Sequence, residues 1–169
     1  SEMCIRDRIK VEGGWRRVVP SPAPIDFKNA ALVERMARSG SIVITGGGGG
    51  IPVYVDGEGM LQPLEGVIDK DLASAMIGAR VKADELYILT DVPYIYKDFR
   101  KPTQEVLEFL DYADAMKYLE AGTFGEGSMA PKIRACLSFV EKGGQKAVIT
   151  EATKLEDRRY GSKITMHYD

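Results

Sequence analysis

Cysteine and histidine are nearly absent from the 169 residues: Cys4 and Cys136 supply the thiols, His167 the imidazole, and no CxxC spacing occurs. A disulfide framework and a zinc site therefore both lack ligands, and a reducing, cytoplasmic setting is expected. A charge bias is missing as well. The 23 Lys and Arg nearly balance the 25 Asp and Glu, giving a net charge of -2. That excludes the global basic footprint of a nucleic-acid binder, and any anion must be met by locally placed charge. No apolar run approaches the ~20 residues that span a bilayer, so no membrane association is expected. Neither GxxxxGK[ST] nor GxGxxG is present. What the chain does have is an ordinary globular composition, 44% hydrophobic and 28% charged, at a length that suits about one domain.

The first residues stand apart. Ser1 to Arg8 carries no cap signal and follows neither a 2.0 nor a 3.6 period. It resembles a translated sequencing adapter, so residues 1–8 are set aside as non-native and residues 9–169 are read for fold. The string VVPSPAP, Val18 to Pro24, is held extended by its three prolines. A helix follows, with Asp26 as its cap, Ala31, Leu32, Arg35, Met36 and Ser39 on its buried side and flank, and Gly40 as a left-handed stop. Ser41 to Thr45 reads as a buried parallel strand, ended by the five glycines Gly46 to Gly50. A second helix starts near Asp69, its buried stripe being Leu72, Ala75, Met76 and Ala79. Glu85 to Thr90 is the next strand, and Lys97 to Pro102 is a loop. Asp111 or Asp114 opens a helix that ends before Gly122. Pro131 sits in the first turn of another, with stripe Ile133, Cys136, Leu137 and Val140 and a stop at Gly143. Lys146 to Thr150 is a strand, Ala152 to Arg158 a short helix, and Ile164 to His167 a final strand. This alternation predicts an α/β fold, a three-layer α/β/α arrangement with a mainly parallel sheet, in which ligands bind at the carboxyl ends of the strands.

Chemistry concentrates at those ends. Five glycines after a strand exceed the needs of a turn and let backbone N–H groups approach an oxyanion, although a plain flexible loop has the same composition. Lys70 and Lys132 lie in the first turns of helices, where the macrodipole disfavours a cation. Either both point into water, or an anion such as a phosphate lies between them. Asp71 is then either a dipole partner of its own helix or the carboxylate that organises both ammonium groups. Phosphoryl transfer asks chiefly for such charge neutralisation and for alignment of donor and acceptor. Cys136 reads as a small core residue, His167 as a surface one, and Trp15 as an anchor or interface residue.

The strings GWRRVVPSPAP, ITGGGGGIPV, VIDKDLASA, LTDVPYIY and GSMAPKIRA, in this order and spacing, closely resemble the C-terminal half of the carbamate kinases, members of the amino acid kinase superfamily. The resemblance runs from about Gly14 to the end. It implies a truncated amino acid kinase fold, residues 9–169 forming its C-terminal nucleotide-binding half. It also implies reversible phosphoryl transfer between ATP and carbamate, giving ADP and carbamoyl phosphate, with magnesium as the metal. Asp71 becomes the organising carboxylate, Lys70 the lysine facing the phosphoryl site and Lys132 the lysine that neutralises the transferring group. Thr90, Asp91, Tyr96, Gly127, Ser128 and Met129 match the nucleotide-side segments, and Gly46, Gly47, Gly48 and Gly49 the glycine loop near the transferred group. No role is assigned in the variant loop Lys97 to Pro102. In relatives the other half carries much of the carbamate site and the dimer contact. The full-length protein is thus expected to be a homodimer, and this chain alone to be nearly inactive, with apolar surface uncovered. The alternatives are another amino acid kinase and a non-catalytic nucleotide-binding module.

Overall fold

The computed structural model describes residues 8–167; most of the segment 1–8, including Cys4, lies outside the described residues. The chain opens with two antiparallel strands, β1 (Arg8–Val11) and β2 (Gly14–Arg17), then α1 (Ala30–Arg38) and a second two-stranded pair, β3 (Val53–Val55) and β4 (Leu61–Pro63). Next come α2 (Lys70–Arg80), β5 (Glu85–Thr90), β6 (Ile95–Lys97), β7 (Glu105–Leu107), β8 (Phe109–Asp111), α3 (Tyr112–Glu120), α4 (Met129–Glu141), β9 (Lys146–Glu151) and β10 (Ser162–Thr165). The central sheet has the order β5-β9-β10-β8. β5 and β9 are parallel, as are β10 and β8, while β9 and β10 run antiparallel. The result is a mixed α/β fold with a mainly parallel central sheet, as the alternation of elements predicts. No helix among the described residues is long and apolar enough to cross a membrane.

Local chemistry accounts for the element boundaries. Asp69 caps α2 by accepting from the N–H groups of Asp71 at 2.9 Å and Leu72 at 3.0 Å. Asp111 caps α3 through the N–H of Asp114 at 2.8 Å. Gly40, Gly122 and Gly143 end their helices with φ of 88°, 65° and 99°. Both α2 and α4 pack against the sheet and against each other. Between them and the strands lies the core, in which Ile133, Phe139, Ile149 and Ile164 are fully buried. Phe139 lies so close to the chain that a Cβ at Gly144 would overlap its ring. β6 and β7 form a hairpin outside this sheet, tied to it by Ser162, whose hydroxyl accepts from Ile95 N–H at 2.7 Å and donates to Leu107 C=O at 2.6 Å.

Several expectations fail in instructive ways. Ser41 to Thr45 is not a strand: no ladder partner faces it among the described residues, and Ile42 and Ile44 are 97% and 96% exposed. β-branched composition reports only a preference, and hydrogen-bonded pairing decides the strand. Helix α1 starts later than its expected cap. Asn29 occupies the cap position with φ 68° and makes no side-chain bond, whereas Asp26 is drawn away to Arg80 at 2.9 Å. The expected α1 stripe is exposed, and Ala30, Val33 and Glu34 are the half-buried residues instead, since the helix packs only lightly. Ala152 to Arg158 shortens to a single 3-10 turn at Ala152–Lys154. Asp157 there accepts from the N–H of Arg159 at 3.0 Å, a local turn that competes with helix. The last strand begins two residues earlier and ends two residues earlier than predicted. Strands β6 to β8, three residues each, are too short to show a periodicity.

Candidate active site

Helices α2 and α4 start at the same end of the molecule, and this places their first turns side by side. Asp71, at the second position of α2, is 7% exposed. Its Oδ2 accepts from Lys132 Nζ at 2.9 Å and lies 3.5 Å from Lys70 Nζ. The two lysines differ in setting: the Lys132 side chain is 14% exposed and that of Lys70 is 60% exposed. One carboxylate oxygen thus sits between two ammonium groups on different helices, the bridging arrangement that is one of the two readings the charge pattern leaves open. It removes the penalty of placing Lys132 in the first turn of α4, a turn with no acidic residue and no side-chain cap. Cys136, one turn further along α4, is fully buried. Burial pushes its thiol pKa far up, and the nearby Asp71 adds to the effect, so it is an inert core residue.

Lys132 also reaches the wall of a cavity of about 410 Å³ that opens at the carboxyl end of β5. Thr90, Asp91 and Tyr96 line it from the β5 side, and Ser128 and Met129 from the start of α4. Asp91 Oδ1 accepts from the Thr90 hydroxyl at 3.1 Å. The Tyr96 hydroxyl is held above its usual pKa by burial, then by Tyr94 and Glu151. Six of the expected residues therefore share one cavity, with Lys132 as the link between the cavity and Asp71. Gly127 is absent from the lining, although its neighbours Gly125 and Ser128 belong to it.

The glycine loop meets the site from another direction. Gly46 and Gly49 have φ of 75° and 131°, and Gly49 N–H donates to Gly46 C=O at 3.0 Å. A Cβ at Gly49 would overlap the carbonyl oxygen of Ile68, the residue before the α2 cap. The loop is thereby pressed against the start of α2, beside the Asp69-Lys70-Asp71 turn rather than in the cavity. Close backbone approach is what requires glycine there.

Sequence reasoning passed over part of the lining. Asp98, Phe99, Arg100 and Lys101 come from the tip of the β6–β7 hairpin, and Thr123, Phe124 and Gly125 from the turn before α4. The second group had a visible signal in the glycine-rich string Gly122 to Gly127. The first had none, because a polar tip reads as solvated loop until the hairpin folds over the cavity.

Comparison with known proteins adds three findings. The model of the amino acid kinase family matches residues 3–151. Among curated relatives, a carbamate kinase of Halobacterium salinarum is 44% identical over 154 residues, covering 89% of this chain and 50% of that protein. One from Thermoplasma volcanium is 46% identical over 141 residues, covering 83% and 46%. Among solved structures, carbamate kinase from Giardia lamblia bound to AMP-PNP superposes with a TM-score of 0.84 at 31% identity, covering 94% of this chain and 52% of that one. The chain spans about half the length of the curated relatives it matches.

Proposed function

The chain belongs to the amino acid kinase family, and on that premise we propose that it forms the nucleotide side of a carbamate kinase. In the reaction an oxygen of carbamate attacks the γ-phosphorus of ATP, the bond from that phosphorus to the β-γ bridging oxygen breaks, and ADP leaves with the electron pair. The reverse reaction makes ATP from ADP and carbamoyl phosphate. The observation that carries the reading is the shared carboxylate oxygen of Asp71, 2.9 Å from Lys132 and 3.5 Å from Lys70, where Lys132 enters the cavity wall.

In this reading the cavity takes the nucleotide, with Thr90, Asp91, Tyr96, Ser128 and Met129 around it. Lys132 meets the charge of the phosphoryl group in transfer, and Asp71 holds its ammonium in place before the reaction, so that little reorganisation is needed as charge moves. The more exposed Lys70 faces the same group from the α2 side. Gly46 to Gly49 offer backbone N–H groups beside it. Gly127 acts through the backbone of the turn that carries Ser128.

Magnesium fits as the companion of the nucleotide phosphates. Among the described residues no three His, Cys, Asp or Glu side chains come together, and magnesium commonly relies on substrate phosphates plus one or two carboxylates. Asp91 is the cavity carboxylate available to it, since Asp98 is engaged by Lys101 and Thr103. Bound there, magnesium would offset phosphate charge.

The cytoplasm and a homodimeric full-length enzyme complete the proposal. The groups that bind carbamate are not among the residues assigned, so the chain by itself is expected to bind MgADP with little or no turnover. Calorimetric titration with MgADP tests the first part, and absence of binding would overturn it. A coupled assay with ADP and carbamoyl phosphate tests the second, and ATP formation at enzyme-like rates would refute it. In a protein that carries these residues along the full length of the relatives, Lys132→Ala is expected to lower turnover roughly 10²–10³-fold, the cost of losing one charge-stabilising donor. Nucleotide affinity should change far less.

A further inference from the structure

The tip of the β6–β7 hairpin lines the cavity with Asp98, Phe99, Arg100 and Lys101, and its backbone is held in an uncommon way. Asp98 and Arg100 have φ of 51° and 64°, the left-handed region in which glycine is at ease and other side chains are disfavoured. Asp98 has a local reason to be there: its carboxylate accepts from Lys101 Nζ at 2.9 Å and from the Thr103 hydroxyl at 3.0 Å. Arg100 has no comparable side-chain bond. Its backbone N–H donates to Gln104 Oε1 at 2.8 Å, which pins the turn. Its guanidinium carbon lies 5.2 Å above the centre of the Phe99 ring, and that ring is 5.5 Å from the ring of Tyr96. Glycine would satisfy this turn without strain, so an arginine held there points to a use for its side chain.

The charges around the cavity indicate what that use is. Asp71 neutralises Lys132 and Asp98 neutralises Lys101. Among the described lining residues Arg100 is the cation without a carboxylate partner. A guanidinium held over an aromatic ring makes no hydrogen bond to it and keeps its N–H donors free, and their fork suits phosphate oxygens.

We propose that Arg100 is a nucleotide-binding residue specific to the diphosphate, a phosphate contact beyond those of Lys132, Lys70 and the glycine loop, presented by the Phe99 ring and the Gln104-pinned turn. The inference rests on the nucleotide reading of the cavity. Its test compares the chain with the variants Arg100→Gly and Arg100→Lys. MgADP binding is read by calorimetry, adenosine binding by ligand-observed NMR, and stability by thermal melting. Arg100→Gly is expected to weaken MgADP about tenfold, the loss of one charge-assisted bond, while adenosine binding stays the same and Tm is equal or higher because the turn relaxes. Arg100→Lys should retain more MgADP affinity than Arg100→Gly. Equal MgADP affinity in the parent and in Arg100→Gly would overturn the inference alone. So would an equal loss for adenosine, which would make the side chain a wall of the pocket. A parent that binds no MgADP would overturn the nucleotide reading and this inference with it.

Discussion

Replacing Asp71 by asparagine keeps the shape of the site and removes the charge that holds Lys132. The Lys132 Nζ to Asp71 Oδ2 distance is 2.9 Å, with side chains 14% and 10% exposed. At an effective dielectric of about 20, two unit charges at that separation attract by ~6 kcal/mol. Much of this offsets the cost of taking both ions out of water, and loss of one partner from a fully buried pair costs 3–5 kcal/mol at most sites, about the upper bound here. Some water still reaches both groups, so a net coupling of ~2 kcal/mol is the expected value. Lys70 adds little to it, because it is 60% exposed and exposed pairs contribute about 0–1 kcal/mol. The assay is a double-mutant cycle in urea with Asp71→Asn, Lys132→Met and both together. The cycle cancels the loss of a first-turn acid from α2, which either Asp71 variant shares. Asp71→Asn alone should destabilise by about 2–3 kcal/mol and lower Tm by roughly 5–10 °C for a domain of this size. A coupling below about 0.5 kcal/mol would refute the argument that Asp71 organises Lys132.

Two further outcomes follow from groups outside that pair. Ser162→Ala removes the hydroxyl that joins Ile95 N–H to Leu107 C=O; it should cost about 1–3 kcal/mol by leaving a buried donor unpaired. Hydrogen exchange at Ile95 should quicken, and unchanged exchange with unchanged stability would count against the tie. Glu85 sits beside Lys146 in register on parallel β5 and β9, Nζ to Oε1 2.8 Å. The Lys146 bond, then that from Tyr87, holds its pKa below the ordinary 4.5. A carboxylate depressed on folding stabilises fully above its unfolded pKa, and the contribution is lost as pH falls through the lower folded value. The stability gap between parent and Glu85→Gln should therefore be constant above about pH 5 and close below it in acid denaturation. A gap that persists to about pH 2 would rule the linkage out.

Much of the helical framework is legible along the chain because its causes are local. Asp69 and Asp111 cap the helices they precede, Gly40, Gly122 and Gly143 end theirs, and the stripe Ile133, Cys136, Leu137 and Val140 is buried as its spacing predicts. Glu85–Thr90 and Lys146–Glu151 are compact apolar runs bounded by turns, and they form strands because each has the other as a parallel partner. Ser41 to Thr45 has the same composition and forms no strand, since pairing is a property of what lies alongside. The candidate site divides the same way. Lysines in the first turns of two helices, one of them between Asp69 and Asp71, are visible as an anomaly of charge sign.

The residue types at the site, its helix starts and its glycine loop were thus determined by sequence alone, since caps, dipoles and close backbone approach act over a few residues. That Asp71 meets Lys132 across 61 positions, and that Arg100 arrives at the same cavity on a hairpin secured by Ser162, was decided only by the tertiary structure. Charge pairs and cavities depend on distance in space, and only the packing of α2 against α4 over the sheet sets that distance.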